Sequence, residues 1–369
     1  MHVYIHVPFC ARRCSYCDFA IAVRRQVPSR RFVEAVLQEW ATWQSHPAWA
    51  DSPRVETVYF GGGTPSRLEP AAIGALMEGL ARHRAVATDA EVTLEANPDD
   101  VTPEAAAAWR AAGVNRLSLG AQTFDPTVLG WMHRTHTVEQ VGEAVAAVRA
   151  AGIHDLSLDL IFGLPAALNR GWQRDLDQAF RLAPDHLSLY GLTVEDHTPL
   201  GRWAARGDVV PVDDERYATE FLAADAAVVA EGYDHYEVSN AARAGRRARH
   251  NSAYWRRAPF IGLGPSAHSG FGRERRWNVR EWSAYDRLLG VGATVVSGSE
   301  ELSDDAVRLE QTYLGLRTSE GLPRDHLPPD VTRAWVQACW ARADAGERVR
   351  LTAEGWLRLD ALVASASAA

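Results

Sequence analysis

Short apolar runs alternate with longer segments of helical periodicity over the first two-thirds of the chain. This alternation is typical of repeated β-strand–α-helix units that build a parallel sheet. The pattern predicts six strands, at 3–7, 55–60, 91–95, 115–120, 156–162 and 186–190. It also predicts five helices between them, several beginning at Ser, Thr or Pro and ending at Gly, at 30–45, 71–83, 103–112, 138–151 and 172–182. Both a doubly wound sheet and an open (β/α) barrel fit this order.

The alternation weakens after the sixth predicted strand. A further helix is expected at 213–230, and an arginine-rich loop at 243–249 leads into the sequence His-Asn-Ser-Ala-Tyr-Trp at 250–255. From residue 300 onward the periodicity is mostly helical. We therefore predict three parts: an α/β domain over 1–235, a connecting region over 236–299 and a smaller, mostly helical domain over 300–369.

Charge composition excludes several kinds of chemistry. The chain has 369 residues, and all 39 residues counted as Lys or Arg are arginine. The absence of lysine excludes Walker-type phosphate loops and catalysis through a lysine Schiff base. The formal net charge of -8 argues against binding to a polyanion, so no nucleic-acid partner is expected.

The distribution of apolar residues bears on where the protein acts. No segment approaches the roughly 18 uncharged apolar residues of a membrane span. The first predicted strand follows the initial methionine without a basic leader and a cleavage site. A cytoplasmic protein is therefore expected, with peripheral association at the inner face of the membrane left open.

Three of the four cysteines lie within eight residues: Cys10, Cys14 and Cys17. Thiolates are soft ligands, and three of them can hold three irons of a [4Fe–4S] cluster and leave one iron open to a substrate. Structural zinc is the alternative, but it prefers four protein ligands, and no second cysteine or histidine pair lies nearby. Cys339 lies in a helical pattern beside Trp340, so a buried, inert thiol is expected there.

Glycine and polar residues follow or end several of the predicted strands. The carboxyl ends of parallel strands are where barrels and doubly wound sheets bind their ligands, so these residues should share one site. Asp159 lies inside an apolar strand, and a buried carboxylate is costly unless it has a partner or a ligand. The other members are the segment 9–17, Gly-Gly-Gly-Thr-Pro at 61–65, Glu95 and Gln122.

The spacing Cys-x3-Cys-x2-Cys followed by Gly-Gly-Gly-Thr-Pro resembles the radical S-adenosylmethionine (SAM) superfamily. The sequence is similar to the branch that contains oxygen-independent coproporphyrinogen dehydrogenases and haem chaperones, over about residues 2 to 300 and more weakly in the tail. The resemblance implies that 1–235 is a partial (β/α)6, TIM-like barrel holding a [4Fe–4S] cluster. In this superfamily the amino and carboxylate groups of SAM chelate the open iron, and an electron from the cluster cleaves the sulfonium C–S bond.

The resemblance also implies a set of SAM contacts. The glycines let the backbone approach the methionine end of SAM closely. Arg134 would pair with a carboxylate, and Glu95 or Asp159 would accept hydrogen bonds from an ammonium group or from ribose hydroxyls. A surface location for Arg134 and Glu95 is the alternative. The implied contacts are Tyr4, Tyr16, Gly62, Gly63, Thr64, Glu95, Gln122, Arg134 and Asp159.

Two features separate the branches of this family. Porphyrinogen-oxidising members resemble Cys-x3-Cys-x2-Cys-x-Cys, whereas Phe19 stands at the place of the fourth cysteine here. Those members also carry a long segment before the first strand, and the first strand here starts almost at Met1. Both departures favour the haem-chaperone side.

The sequence at 250–255 is similar to the His-Asn-x-x-Tyr-Trp motif of the haem chaperones. Haem iron accepts a neutral imidazole, so His250 is the predicted axial ligand, and Tyr254 and Trp255 would cover the macrocycle. The alternatives are a packed, hydrogen-bonded role for His250 and ligation by His268. The preceding arginines would meet the propionates, and they are Arg246, Arg247 and Arg249.

Together these features predict a protein that binds a [4Fe–4S] cluster, SAM and haem and transfers haem to haem-requiring proteins, such as respiratory enzymes. The alternative is an oxygen-independent coproporphyrinogen III dehydrogenase, a radical SAM oxidative decarboxylase. Cleavage of SAM, and with it enzymatic activity, is left open, as is a homodimer. The helices after residue 300 resemble a small winged-helix module of the kind found in the coproporphyrinogen-oxidising branch.

Overall fold

The computed structural model describes residues 1–50, 52–344 and 348–367. Within these residues twelve strands form one sheet, in the order β14-β13-β12-β11-β1-β4-β5-β6-β7-β8-β10-β9. The strands of this sheet are β1 His2–Val7, β4 Val55–Gly62, β5 Val86–Ala96, β6 Arg116–Gln122, β7 Asp155–Phe162, β8 His186–Gly191, β9 Asp234–Glu237, β10 Asn240–Ala242, β11 Phe260–Leu263, β12 His268–Phe271, β13 Glu274–Asn278 and β14 Val296–Glu301. Two short strands, β2 Phe9–Cys10 and β3 Ala22–Val23, pair beside it.

The helices flank this sheet and fill the connections between its strands. Those of the first two-thirds are α1 Ser29–Thr42, α2 Pro70–His83, α3 Pro103–Ala111, α4 Pro126–Trp131, α5 Val138–Ala150, α6 Trp172–Arg181, α7 Pro199–Ala205 and α8 Asp214–Ala230. Those that follow are α9 Arg249–Trp255, α10 Trp282–Gly290, α11 Asp304–Leu316, α12 Pro329–Gln337, α13 Ala353–Trp356 and α14 Leu359–Ser367. Among the described residues, no helix combines the length and apolar character needed to cross a membrane.

The six predicted strands are confirmed as β1 and β4 to β8. Each pairs in parallel with the next one along the chain. A doubly wound sheet would reverse its strand order at a switch point, and this sheet does not. The strand order therefore selects the open barrel, and the predicted α/β, partial (β/α)6 TIM-like class is confirmed.

Alternation within the strands explains why the barrel forms. In β7, Leu156, Leu158 and Leu160 are fully buried against the surrounding helices. Ser157 and Asp159 lie on the opposite, inward face, because successive side chains of a strand point to opposite sides. The hydrophobic core thus lies between sheet and helices, while the inside of the barrel is lined by polar groups.

The five predicted helices are present, with ends within a few residues of those expected. Side-chain caps begin several of them: Thr102 accepts from the backbone of Ala105, and Thr137 forms a capping box with Gln140. Helix α4, which Asp125 caps, was not predicted, because its six residues are too few to show a helical period.

The segment after β8 extends the sheet at both edges. Strands β9 and β10 join antiparallel beside β8, whereas β11 pairs in parallel with β1 and β12 to β14 follow antiparallel. These strands were missed because all of them except β14 have five residues or fewer, too few to show a clear alternation. The predicted boundaries at 235/236 and 299/300 fall inside β9 and β14, so the connecting region is continuous with the sheet.

The C-terminal part combines helices with a three-stranded sheet. Strands β15 Leu322–Pro323, β16 Ala341–Ala343 and β17 Arg348–Leu351 pair antiparallel. The expected burial of Cys339 is wrong. Helix α12 ends at Gln337, and Cys339 follows in a left-handed conformation with φ of 62° and an exposed side chain.

Candidate cluster and ligand site

The loop after β1 brings the three predicted metal ligands to the carboxyl end of the barrel. Cys10, Cys14 and Cys17 all line one cavity of about 410 Å³. The backbone N–H of Cys17 donates to the carbonyl of Cys14 at 3.4 Å and closes the turn between them. Burial raises the pKa of the Cys10 thiol to about 11, although a hydrogen bond from Thr64 acts in the opposite direction. A bound metal would therefore have to draw the proton from this thiol.

The donor set fits an iron–sulfur cluster. The three cysteines are free thiols that face one cavity, and Cys339 is not among the residues that line it. Within the described residues, no three His, Cys, Asp or Glu side chains are arranged around the position of a single metal ion. Three soft, separated donors around a shared space match the needs of a multi-iron cluster better than those of mononuclear zinc.

The glycine motif at the end of β4 forms the wall beside the cysteine loop. A Cβ at Gly62 would lie 2.6 Å from the His6 ring, and Gly62 has a φ of +110°. A Cβ at Gly63 would lie 2.8 Å from the backbone of Pro8. Since neither position tolerates a side chain, glycine is required for β4 to pass this close to the cysteine loop.

Glu95 at the end of β5 is fastened to the glycine motif. Its Oε1 accepts a 2.8 Å hydrogen bond from the Tyr59 hydroxyl, and its Oε2 accepts a 3.1 Å bond from the backbone N–H of Gly62. Burial raises the pKa of Glu95 to about 7. The carboxylate lines the cavity, so the surface alternative for Glu95 is wrong.

Arg134 lies on the same cavity. Its Nη2 donates to Asn97 Oδ1 at 2.6 Å and to the Gly120 carbonyl at 2.9 Å, and its Nη1 lies 3.6 Å from Cys14 Sγ. Its Nε is buried and has no hydrogen-bond partner. The surface alternative is therefore wrong for Arg134 as well, and one donor remains for an anionic ligand.

Asp159 has the partners that its burial demands. Ser118 Oγ donates to its two oxygens at 2.9 and 3.1 Å, and Ser157 Oγ lies 3.3 Å away. Burial raises the pKa of Asp159, and these serines offset part of that effect. Gln122 also lines the cavity at an irregularity of β6, where its φ of 65° is left-handed. Such strain is often found at functional sites.

The tyrosines predicted to contact SAM are divided between two cavities. Tyr16 lines the cavity of about 410 Å³ that the three cysteines share, here called the cluster cavity. Gly62, Gly63 and Thr64 line it as well. Tyr4 instead lines a neighbouring cavity, where its hydroxyl lies 3.2 Å from His6 Nδ1. The structure thus gathers every implied SAM residue except Tyr4 in the cluster cavity.

The neighbouring cavity, here called the aromatic cavity, measures about 580 Å³. Its walls include Phe19, Tyr254, Trp255 and Phe260, and His268 also lines it. The two cavities share four lining residues and are therefore contiguous; these are Asp18, Phe19, Gly62 and Glu95.

His250 does not line either cavity. It is buried inside the barrel, where Nδ1 lies 2.6 Å from Thr57 Oγ1 and Nε2 lies 2.8 Å from the Tyr254 hydroxyl. Glu91 accepts from the backbone N–H groups of Arg249 and His250 and so holds the start of α9. Burial lowers the pKa of His250 to about 3, so the imidazole is neutral with both nitrogens engaged.

The arginines before His250 also lie away from the aromatic cavity. Arg247 pairs with Asp234, and Arg246 and Arg249 lie within 4 Å of other carboxylates. These three arginines were expected to contact the haem propionates, but the structure does not place them beside Tyr254 in the aromatic cavity. The arginines that line the aromatic cavity are Arg257, Arg275 and Arg280, which sequence reasoning did not single out.

A parallel barrel with a three-cysteine loop and a glycine motif at its mouth is the architecture of a radical SAM protein. A model of the Radical SAM superfamily matches residues 4–175. Heme chaperone HemW of Mycobacterium tuberculosis is 38% identical over 363 residues, covering 98% of this chain and 93% of that protein. Heme chaperone HemW of Escherichia coli is 36% identical over 269 residues, covering 73% of this chain and 69% of that protein.

Relatives outside bacteria show the same extent of similarity. Radical S-adenosyl methionine domain-containing protein 1, mitochondrial, of Bos taurus is 35% identical over 376 residues, covering 97% of this chain and 82% of that protein.

The solved structure of coproporphyrinogen III oxidase (HemN) from Escherichia coli covers 98% of this chain and 88% of that chain, with a TM-score of 0.81 and 22% identity. That likeness shows the fold. The chain belongs to the radical SAM superfamily and, within it, to the family of the relatives named HemW.

Proposed function

We propose that this protein is a haem chaperone that holds a [4Fe–4S] cluster and SAM, binds haem and transfers it to haem-requiring proteins such as respiratory enzymes. The observation that carries the proposal is the similarity, over nearly the whole chain, to a protein named as a heme chaperone. The aromatic cavity supports it, because a flat apolar macrocycle needs such walls. The proposal also includes a cytoplasmic location, with association at the inner membrane face and a homodimer left open.

The cluster and SAM would occupy the cluster cavity. Cys10, Cys14 and Cys17 would hold three irons, and the reduced cluster would supply an electron when bound. Arg134 would donate to the SAM carboxylate through its unpaired Nε. Glu95, once ionised, would accept a hydrogen bond from an ammonium group, and the side chains around Gly62 would exclude water.

His250 could ligate the haem iron only if its ring gave up one of its two hydrogen bonds. Axial ligation through Nε2 would require loss of the hydrogen bond to Tyr254, and ligation through Nδ1 would require loss of the bond to Thr57. In the described conformation His250 supports the aromatic cavity indirectly, because Tyr254 is a wall of that cavity. The assignment of the axial ligand to His250 stays a prediction.

The test is anaerobic reconstitution of the cluster followed by absorbance titration with haem, which reports the cluster and the haem separately. We expect saturable binding at one haem per chain, and transfer of that haem to an apo haem protein on mixing. Absence of saturable haem binding by the reconstituted protein would overturn the proposal.

The same preparation tests the alternative, coproporphyrinogen III dehydrogenase. The reduced protein is incubated anaerobically with coproporphyrinogen III and SAM. Phe19 is 63% exposed where the cavities meet and offers no thiolate there, so we expect no protoporphyrinogen. Its formation at many turnovers per chain would favour the enzyme instead.

A further inference from the structure

His268 is the histidine of the aromatic cavity whose ring is free to bind a ligand. Two histidines line this cavity, His6 and His268. Both ring nitrogens of His6 are engaged, Nδ1 with the Tyr4 hydroxyl at 3.2 Å and Nε2 with the Ala20 carbonyl at 2.9 Å. The exposed His268 ring has no hydrogen bond to any described residue, and it stacks on Trp277 with 6.0 Å between ring centroids.

The loop at 264–267 ends at His268, the first residue of β12, and it is rigidly held. It follows β11, which runs parallel to β1, so it lies at the same end of the barrel as the cysteine loop. Glu39 accepts from the backbone N–H of Gly264 at 2.8 Å and from Asn278 Nδ2 at 2.7 Å. Ser266 has a left-handed φ of 60°. A strained loop fixed by a buried carboxylate keeps a side chain in one place, as a ligand position requires.

The rim of the aromatic cavity carries three arginines, and the carboxyl groups of Asp18, Glu95 and Glu310 line the same cavity. Arg257 and Arg275 share one carboxylate, Glu310, with Arg275 Nη2 at 3.0 and 2.7 Å from its two oxygens. One carboxylate neutralises only one of these two guanidinium groups. Arg280 adds a third, 3.8 Å from Asp18 Oδ1. Guanidinium groups bind carboxylates through paired hydrogen bonds, so this rim suits an anionic ligand.

The remaining walls are apolar and aromatic. Tyr254, Trp255 and Phe260 provide ring faces, and the Tyr254 and Phe260 rings meet edge to face at 4.7 Å. The volume of about 580 Å³ lies within the roughly 300–1,000 Å³ typical of cavities for small ligands and cofactors. A free imidazole, aromatic faces and guanidinium donors at the rim together match an iron tetrapyrrole with carboxylate side chains.

We propose that the aromatic cavity is the haem site, with His268 as axial ligand to the iron and Arg257, Arg275 and Arg280 facing the propionates. The proposal rests on the proposed function and names the residues that would carry it out. The bound macrocycle would lie against the wall formed by Phe19, Gly62 and Glu95, which separates it from the cluster cavity. Tyr254, positioned by His250, would cover one face.

The test separates contacts to iron from contacts to the macrocycle. Ferric haem and metal-free protoporphyrin are titrated separately into the reconstituted full-length protein. In His268→Ala we expect haem affinity to fall about tenfold or more, with the affinity for metal-free porphyrin unchanged. Magnetic circular dichroism of bound haem should lose its imidazole signature, and added imidazole should restore it in His268→Gly. Arg275→Gln should weaken both ligands.

Two controls make the outcomes distinct. His83→Ala, at an exposed position in the last turn of α2, should change neither titration. Iron content checks that each variant is folded and loaded. Wild-type affinity and an intact imidazole signature in His268→Ala would overturn the His268 assignment while leaving the proposed function standing, and loss of that signature in His250→Ala would then assign His250. Absence of haem binding by the wild-type protein would overturn both proposals.

Discussion

The hydroxyl of Tyr285 on α10 donates a 2.5 Å hydrogen bond to Glu39 Oε2 on α1, in the hydrophobic core. The same carboxylate holds Gly264 and Asn278, which places it beneath the loop that carries His268. Burial raises the pKa of Glu39 from its ordinary 4.5 to about 7. The loop at the aromatic cavity therefore rests on a group that titrates near neutral pH.

This raised pKa predicts a pH-dependent stability. Between pH 4.5 and 7 the unfolded chain loses this proton while the folded protein keeps it, so stability falls as pH rises. In Glu39→Gln this contribution, at most about 1.4 kcal/mol per pH unit, should disappear from the free energy of unfolding. Urea unfolding at several pH values measures it. Glu34→Gln, exposed on the same helix, is the control; an unchanged pH slope in Glu39→Gln would contradict the prediction.

Substitution of a cysteine in the loop should lower the iron content of the protein, whereas substitution of Cys339 should not. Cys14→Ala removes one of three donors on the cluster cavity, so we expect iron and sulfide content after reconstitution to fall about tenfold or more. Cys339→Ala is the matched control, because that thiol is exposed beyond the end of α12. Equal iron loss in both variants, or in neither, would refute the assignment.

Arg134 predicts a selective loss of SAM affinity. A lysine cannot replace the guanidinium bonds to Asn97 and Gly120 and at the same time offer a donor to a carboxylate. Arg134→Lys should weaken SAM binding about tenfold in calorimetric titration of reconstituted protein. Arg110→Lys, on the exposed face of α3, should bind SAM like the wild type. Retained affinity in Arg134→Lys would show that another group meets the carboxylate.

Replacing either of two glycines by alanine should change the stability of the protein, in opposite directions. In Gly62→Ala, a Cβ at 2.6 Å from the His6 ring and a left-handed φ should lower stability by about 2 kcal/mol or more and reduce cluster loading. In Gly142→Ala, within α5 and with no atom within 4 Å of the new Cβ, stability should rise by about 0.5–1 kcal/mol. Thermal unfolding of both variants tests the pair; a neutral Gly62→Ala would show that β4 can shift at no cost.

The six strands of the barrel were predictable because each strand repeats one local pattern, whereas the choice of a barrel over a doubly wound sheet came from the family resemblance. In β7 the period of two is present in six consecutive residues, 155–160, with Leu156, Leu158 and Leu160 on the buried face, and neighbouring strands show it in the same way. The meeting of Cys10, Cys14 and Cys17 at one cavity was predictable for a similar reason, since they lie within one loop. Their chemistry follows from residue type and spacing.

The contacts of His250 with residues distant in the sequence were not predictable. The motif at 250–255 predicted His250 as a ligand. In the folded protein, however, Nδ1 of His250 contacts Thr57 and Nε2 contacts Tyr254, so neither nitrogen is free. His268 was only the alternative because the motif match favoured His250 and because 260–263 was not recognised as a strand. The rule that ligands bind after the carboxyl ends of parallel strands would have pointed to the loop after it.

The sequence by itself determined the superfamily, the six strands and the grouping of three thiols in one loop, because these depend on periodicity and on motif spacing over a few residues. Only the tertiary structure decided which arginines and which histidine face the aromatic cavity. Arg257, Arg275 and Glu310 meet there from a turn, a strand and a helix, and no local pattern records which distant side chain will occupy the other side of an ion pair.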